Sequence, residues 1–151
     1  VISIEFRDGE ILAGIDRLQD RLGDMTTFMS DLGELLVAST KARFPAGTAP
    51  DGTAWAPNSP VTLARKTDSR PLFGTSGSLN SQIFATPGAD FVRVGSNRVQ
   101  AAMMQFGGST SVFDHLWGDI PARPYLGLSD EDKENILAET RDWLSGAFTG
   151  D

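Results

Sequence analysis

A chain of 151 residues with 40% hydrophobic content is enough for one globular domain with its own core, and short for two. Without cysteine it has no disulfides, thiolate metal sites, iron-sulfur clusters or thiol catalysis, and thirteen basic residues against twenty acidic ones give a net charge of -7. That charge opposes gripping a phosphate backbone, although nucleic acid could pass such a surface without adhering.

No run approaches the roughly 20 apolar residues that span a bilayer, and residues 1–8 lack the basic-then-apolar order of an export signal, so a soluble protein is expected. Residues 1–6 alternate, with Ile2, Ile4 and Phe6 on one face, as in a half-buried strand. After Asp8-Gly9 a stripe runs through Leu12, Ile15, Leu18, Leu22, Met25, Met29, Leu32 and Leu36 in steps of three or four. The spacing predicts one long helix over residues 10–42, roughly 50 Å in length, with Gly23 and Gly33 marking a bend or a close contact. Early acids (Glu10, Asp16, Asp20, Asp24) and the closing Lys41 and Arg43 suit its dipole.

Residues 44–60, rich in Pro, Gly, Ala and Thr, read as a loop holding Trp55. Ser59-Pro60 supplies an N-cap and a first-turn proline for a short helix over residues 61–66. Residues 79–86 and 91–96 read as strands of a hairpin turned by Pro87-Gly88-Ala89-Asp90. A short helix over residues 98–106, with Val99, Ala102, Met103 and Phe106 on one side, stops at Gly107-Gly108. The loop 107–120 holds Phe113, His115 and Trp117, a length and composition that favour a functional connection. Residues 121–127 are extended and stiffened by two prolines. Ser129, with Asp132 three residues on, opens a final helix as a capping box, with Ile136, Leu137, Thr140, Trp143, Leu144, Ala147 and Phe148 as its apolar face.

Catalytic patterns are weak. His115 lies beside Asp114 and near Asp119, but sequence neighbours rarely orient a histidine as a general base, so a solvated or structural role is expected. Ser76 sits in Gly74-Thr75-Ser76-Gly77-Ser78, which lacks the last glycine of a nucleophile elbow and reads as a turn needing small residues. The acids Asp130, Glu131, Asp132 and Glu134 lack the alternation and central glycine of a calcium loop and fit a helix N-terminus instead. Arg65, Lys66 and Arg70 form a small basic cluster without interleaved aromatics, read as surface charge open to an acidic partner.

An ordered series of segments, Phe44-Pro45, Pro50-Asp51-Gly52-Thr53-Ala54-Trp55-Ala56-Pro57, residues 62–66, 72–79 and 92–96, Ala101-Ala102, Gln105-Phe106-Gly107 and residues 120–129, resembles the phage virion morphogenesis family of tail completion proteins. Tyr125 stands where phenylalanine is expected, and residues 109–111 form a short polar insertion. The resemblance implies an α+β subunit with a long N-terminal helix on a small, mainly antiparallel sheet and a C-terminal helix. It also implies a non-enzymatic ring subunit at the neck or tail end of the virion, assembled in the host cytoplasm with other neck, tail or connector proteins. No catalytic residue, metal or cofactor comes with it. Alternatives are an assembly chaperone absent from the finished particle and a small hydrolase using Ser76 and His115.

Interfaces favour aromatics and arginine, which singles out Trp55, Phe113, Trp117 and Arg123 for protein contacts. Trp55 and Tyr125 equally suit stapling their loops to the core, and Arg123 suits capping a helix or pairing with an acid.

Overall fold

The computed structural model describes residues 9–74 and 78–149. The expected strand over residues 1–6 and the serine Ser76 lie outside the described residues. Helix α1 (Gly9–Gly23) is followed at once by α2 (Thr26–Ala46), so the stripe read as one helix belongs to two. The break has a local cause. Gly23 ends α1, and the Asp24 carboxylate accepts the Thr26 backbone N–H at 2.9 Å and its hydroxyl at 2.6 Å, starting a new helix. The Met25 N–H, donated to Ala89 O at 3.0 Å, ties this corner to the hairpin turn. A period of 3.6 runs through such a corner undisturbed, because Leu22, Met25 and Met29 keep their spacing while the axis changes.

At its other end α2 overruns the expected loop start and includes Phe44 and Pro45. Proline in the last turn forfeits only a terminal backbone bond, and Gly47 ends the helix, its N–H donated to Arg43 O at 2.8 Å. Phe44 is fully buried at the centre of the main core, with Trp55, Leu79, Ile83 and Tyr125 around it.

Strands β1 (Ile83–Pro87) and β2 (Val92–Ser96) form an antiparallel hairpin in the register Ile83↔Ser96, Ala85↔Val94, Pro87↔Val92. Residues 79–82, expected to extend the first strand, follow or lie within a single helical turn, α4 (Ser78–Ser81). Helix α2 lies across this hairpin, and Gly33 makes the approach possible: a Cβ there would sit 2.8 Å from Ala85 Cβ and 3.1 Å from Val92 Cγ2.

The short helix α3 (Pro60–Leu63) has the expected cap, with Ser59 Oγ accepting from Thr62 N, and is shorter than the sequence suggested. Helix α5 (Ala101–Phe106) starts later than expected, and the side that meets the core is not the one that groups Val99 with Phe106: Ala101 and Met104 pack on the core, whereas Val99 and Phe106 are exposed. Helix α6 (Asp130–Thr149) opens with the expected capping box, Asp132 N–H to Ser129 Oγ at 3.0 Å and Ser129 N–H to Asp132 Oδ2 at 2.8 Å.

α6 packs against both α1 and α2. Phe28 of α2 stacks on Trp143 with ring centroids 4.7 Å apart, and α1 is joined through Arg17 and Arg21, which donate to the Ala147 and Trp143 carbonyls at 2.6 and 2.7 Å. The result is α+β: an N-terminal helical pair and a C-terminal helix around a two-stranded antiparallel sheet.

Candidate interaction surface

The extended segment 121–127 is the hub of the fold. Two prolines deny it the N–H groups of a regular strand, so side chains from elsewhere bind its backbone. The Gln105 amide does this twice over: Oε1 accepts the Tyr125 and Leu126 N–H groups, both at 3.0 Å, and Nε2 donates to Leu126 O at 3.1 Å. Arg43 Nη1 donates to Tyr125 O at 2.7 Å and Gly127 O at 3.0 Å, and Arg123 N–H reaches Met104 O at 2.8 Å. Gly107 ends α5 with φ 72° just where a Cβ would lie 2.7 Å from Ala122 N and Ile120 O, so glycine alone lets the segment pass this closely.

Trp55 and Arg123 face inward within this hub. Trp55 is buried, its indole N–H donated to Pro124 O at 2.7 Å and its ring edge-on to Phe44 with centroids 5.6 Å apart. Arg123 is also buried and returns the connection, Nε to Ala56 O at 2.7 Å and Nη2 to Pro57 O at 2.8 Å. The tryptophan of one loop thus holds the arginine's segment, and the arginine holds the tryptophan's loop. Burial pushes the Arg123 guanidinium below its ordinary value, with carbonyl dipoles in place of a carboxylate. Tyr125, fully buried, donates its hydroxyl to Ala101 O at 3.2 Å, and burial raises its phenol above the usual value.

Beneath the hub lies an ion pair that the sequence did not announce. Arg43 Nη2 donates to Asp132 Oδ2 at 2.5 Å, with the arginine 6% and the aspartate 2% exposed. Asp132 had been legible only as a cap, and Arg43 only as a positive helix end.

Phe113 and Trp117 have the opposite placement. Loop 107–120 is closed at its base by paired bonds between Gly108 and Ile120, at 2.9 and 2.8 Å, and Asp119 Oδ1 accepts from Thr110 N at 2.7 Å. From this anchored loop Trp117 projects fully exposed and Phe113 is partly exposed, its ring edge-on to His115 at 6.1 Å. His115 is itself exposed, with its Nδ1 3.9 Å from an exposed Asp114 carboxylate.

Trp117 forms the lip of a groove of about 1210 Å³. It is lined by the cations Arg65 and Lys66, by Leu72, Leu79, Met104 and Ile120, and by the carboxylate of Asp119. Arg70 is engaged beside it, donating through two nitrogens to Asp68, whose carboxyl is held down to about 2 by those bonds, and lying 3.8 Å over the Phe73 ring. Lys66 Nζ donates to Arg70 O at 3.0 Å, whereas the Arg65 side chain makes no ion pair or hydrogen bond among the described residues. The expected basic cluster therefore divides into a self-paired Arg70 and two cations lining the groove.

Among the described residues no acidic or histidine cluster could hold a metal ion, and no helix is long and apolar enough to cross a membrane.

No solved structure matches the chain. The provisionally named capsid assembly protein G of Escherichia phage Mu is 28% identical over 152 aligned residues, covering 93% of this chain and 97% of that protein. The family model for phage virion morphogenesis matches residues 7–145, and with the fold built around the very segments that carry the resemblance, the chain belongs to the phage virion morphogenesis family.

Proposed function

We propose that this protein is a structural, non-enzymatic subunit that completes the tail or joins it to the head, acting in a ring at the neck or tail end with other neck, tail or connector proteins. One observation carries the reading. A set of large apolar side chains, Val99, Phe106, Val112 and Trp117, stands exposed on elements held rigid by a densely bonded hub, as a surface awaiting partners does. The low charge affinity of a -7 chain for DNA suits a ring through which the genome passes. A non-enzymatic role is supported by the exposure of His115 and of the Asp114 carboxylate 3.9 Å from it, a solvated pair in which the acid does not hold the imidazole as a general base requires.

Deleting the gene from its phage tests the role: filled heads and separate, complete tails are expected, and wild-type yields of infectious particles would overturn it. A second reading, an assembly factor that leaves the particle, is favoured by the name of the phage Mu relative, a capsid assembly protein. Mass spectrometry of purified virions separates the two, since a ring subunit remains at a fixed copy number and a departing factor does not.

A further inference from the structure

From the groove and its charges we infer that the cleft lined by Val61, Arg65 and Lys66 and lipped by Trp117 receives the acidic outer side of α6 from a neighbouring copy of the same chain. The inference rests on the ring reading and names the contact that would build it. Three features select the occupant.

The first is size. At about 1210 Å³ the groove exceeds the few hundred to about 1,000 Å³ typical of small-molecule pockets and suits a polypeptide element. The second is the apolar lining of Leu72, Leu79 and Met104 with an exposed tryptophan at its edge, the composition of an anchor site for a helix bearing an aliphatic side chain. The third is charge. On a chain of net charge -7, Arg65 and Lys66 bring positive charge to the groove with neither side chain in an ion pair among the described residues, and they outnumber Asp119, the one carboxylate that lines it.

The complementary surface is on the same molecule. On α6 Asp132 and Ala147 are buried and Ile136 and Trp143 partly buried, which leaves Glu131, Glu134, Leu137 and Asp142 exposed on its outer side together with one cation, Arg141. Leu137 is large, apolar and half-exposed, and Glu134 and Glu131 stand about one and two turns N-terminal to it. An outer helix with one aliphatic anchor and two acids on its N-terminal side matches a groove lined by apolar side chains and two cations. Groove and helix are different patches, so the contact is heterologous: each copy offers its helix to one neighbour and its groove to the other. Such contacts propagate head to tail and close into a ring when the rotation permits.

The test uses the full chain in charge-swapped pairs. Arg65→Glu with Lys66→Glu reverses the groove, and Glu131→Lys with Glu134→Lys reverses the helix. These side chains are solvent-facing, so the thermal midpoint of each variant serves as the folding control. Size-exclusion chromatography with light scattering and analytical ultracentrifugation read the assembly. The wild type is expected to form a closed oligomer, and each reversed variant alone to associate at least about tenfold more weakly. The two variants mixed, or all four substitutions in one chain, are expected to reassemble, because every groove then meets a helix of opposite charge. A wild-type oligomer indifferent to the reversals would overturn this contact while leaving the ring reading intact. Variants that lose assembly but do not recover on mixing would show that the groove takes some other protein, and would overturn self-docking. A wild type that is monomeric at every concentration would overturn both.

Discussion

Replacing Asp132 by alanine removes one member of a nearly waterless ion pair and leaves the Arg43 guanidinium buried at 6% exposure without its carboxylate. The same oxygen that takes the arginine also takes the Ser129 N–H at 2.8 Å, so the substitution orphans the first turn of α6 as well. Truncating one partner of such a pair costs about 3–5 kcal/mol, against a total of roughly 5–15 kcal/mol for a domain of ordinary stability. At a urea slope of roughly 2 kcal/mol per molar, the unfolding midpoint drops by about 2 M. Arg43→Met should cost a similar amount, because it also strands the Tyr125 and Gly127 carbonyls that Arg43 Nη1 serves. For the same reason the double variant recovers only part of the loss, and the coupling energy of the cycle should be about 2 kcal/mol or more. Acid titration supplies an independent check of sign. Burial pushes the Asp132 carboxyl up, but hydrogen bonds from Ser39 and Ser129 and the Arg43 charge outweigh it, so its folded value lies below the ordinary one. The stabilisation is therefore whole above the unfolded value of about 3.9 and is lost as pH falls through the lower folded value. The gap between wild type and Asp132→Ala, measured by urea melts followed by circular dichroism, should narrow below about pH 4. A cost under about 1 kcal/mol at neutral pH, or a gap that widens in acid, would refute the assigned role of the pair.

Five further variants have outcomes set by the geometry. Gly33→Ala gains up to about 1 kcal/mol of helix propensity but forces α2 off Ala85 and Val92, an overpacking cost of about 1–3 kcal/mol, so chemical denaturation should show net loss. Gly23→Ala, with open space around it, should be neutral or gain stability by up to about 1 kcal/mol in the same melts. Trp55→Phe keeps the aromatic packing on Phe44 and loses the bond to Pro124 O, for about 1–3 kcal/mol, whereas Tyr125→Phe loses only the 3.2 Å bond to Ala101 O, for about 0.5–1.5 kcal/mol, both read by thermal melts. Trp117→Ser should leave stability within about 0.5 kcal/mol of wild type while lowering the yield of infectious phage in complementation, separating assembly from folding.

What could be read from the sequence was local. The capping box Ser129/Asp132, the Ser59-Pro60 cap, the glycine stop at Gly107 and the Pro87-Gly88 turn all place a residue against neighbours a few positions away, and all appear where expected. The corner at Gly23–Asp24–Met25 escaped because hydrophobic spacing reports a face and not the direction of an axis. The core-facing side of α5 escaped because it is chosen by Gln105 and Ala101 bonding a segment some twenty residues further on, at separations of 21 and 24. Arg43 was hidden for the same reason: its carboxylate partner is 89 residues away, and at that distance a basic residue near a helix C-terminus reads only as a favourable end charge.

The motif residues that carry the family resemblance, Trp55, Gln105 and Arg123, all spend their polar groups on backbone within the subunit. They specify how the chain folds, and they are poorly placed to choose a partner. The exposed side chains Val112, Phe113 and Trp117 lie instead in loop 107–120, between the Gln-Phe-Gly stop and the Pro-Ala-Arg-Pro segment, on a base closed by Gly108 and Ile120. A loop anchored at both ends by the hub can change its contents without disturbing the core. Partner choice should therefore travel with that loop: exchanging residues 109–119 for those of a relative should preserve the thermal midpoint while shifting which phage's assembly the chimaera complements. A chimaera that unfolds, or that keeps its original preference, would place partner recognition elsewhere on the subunit.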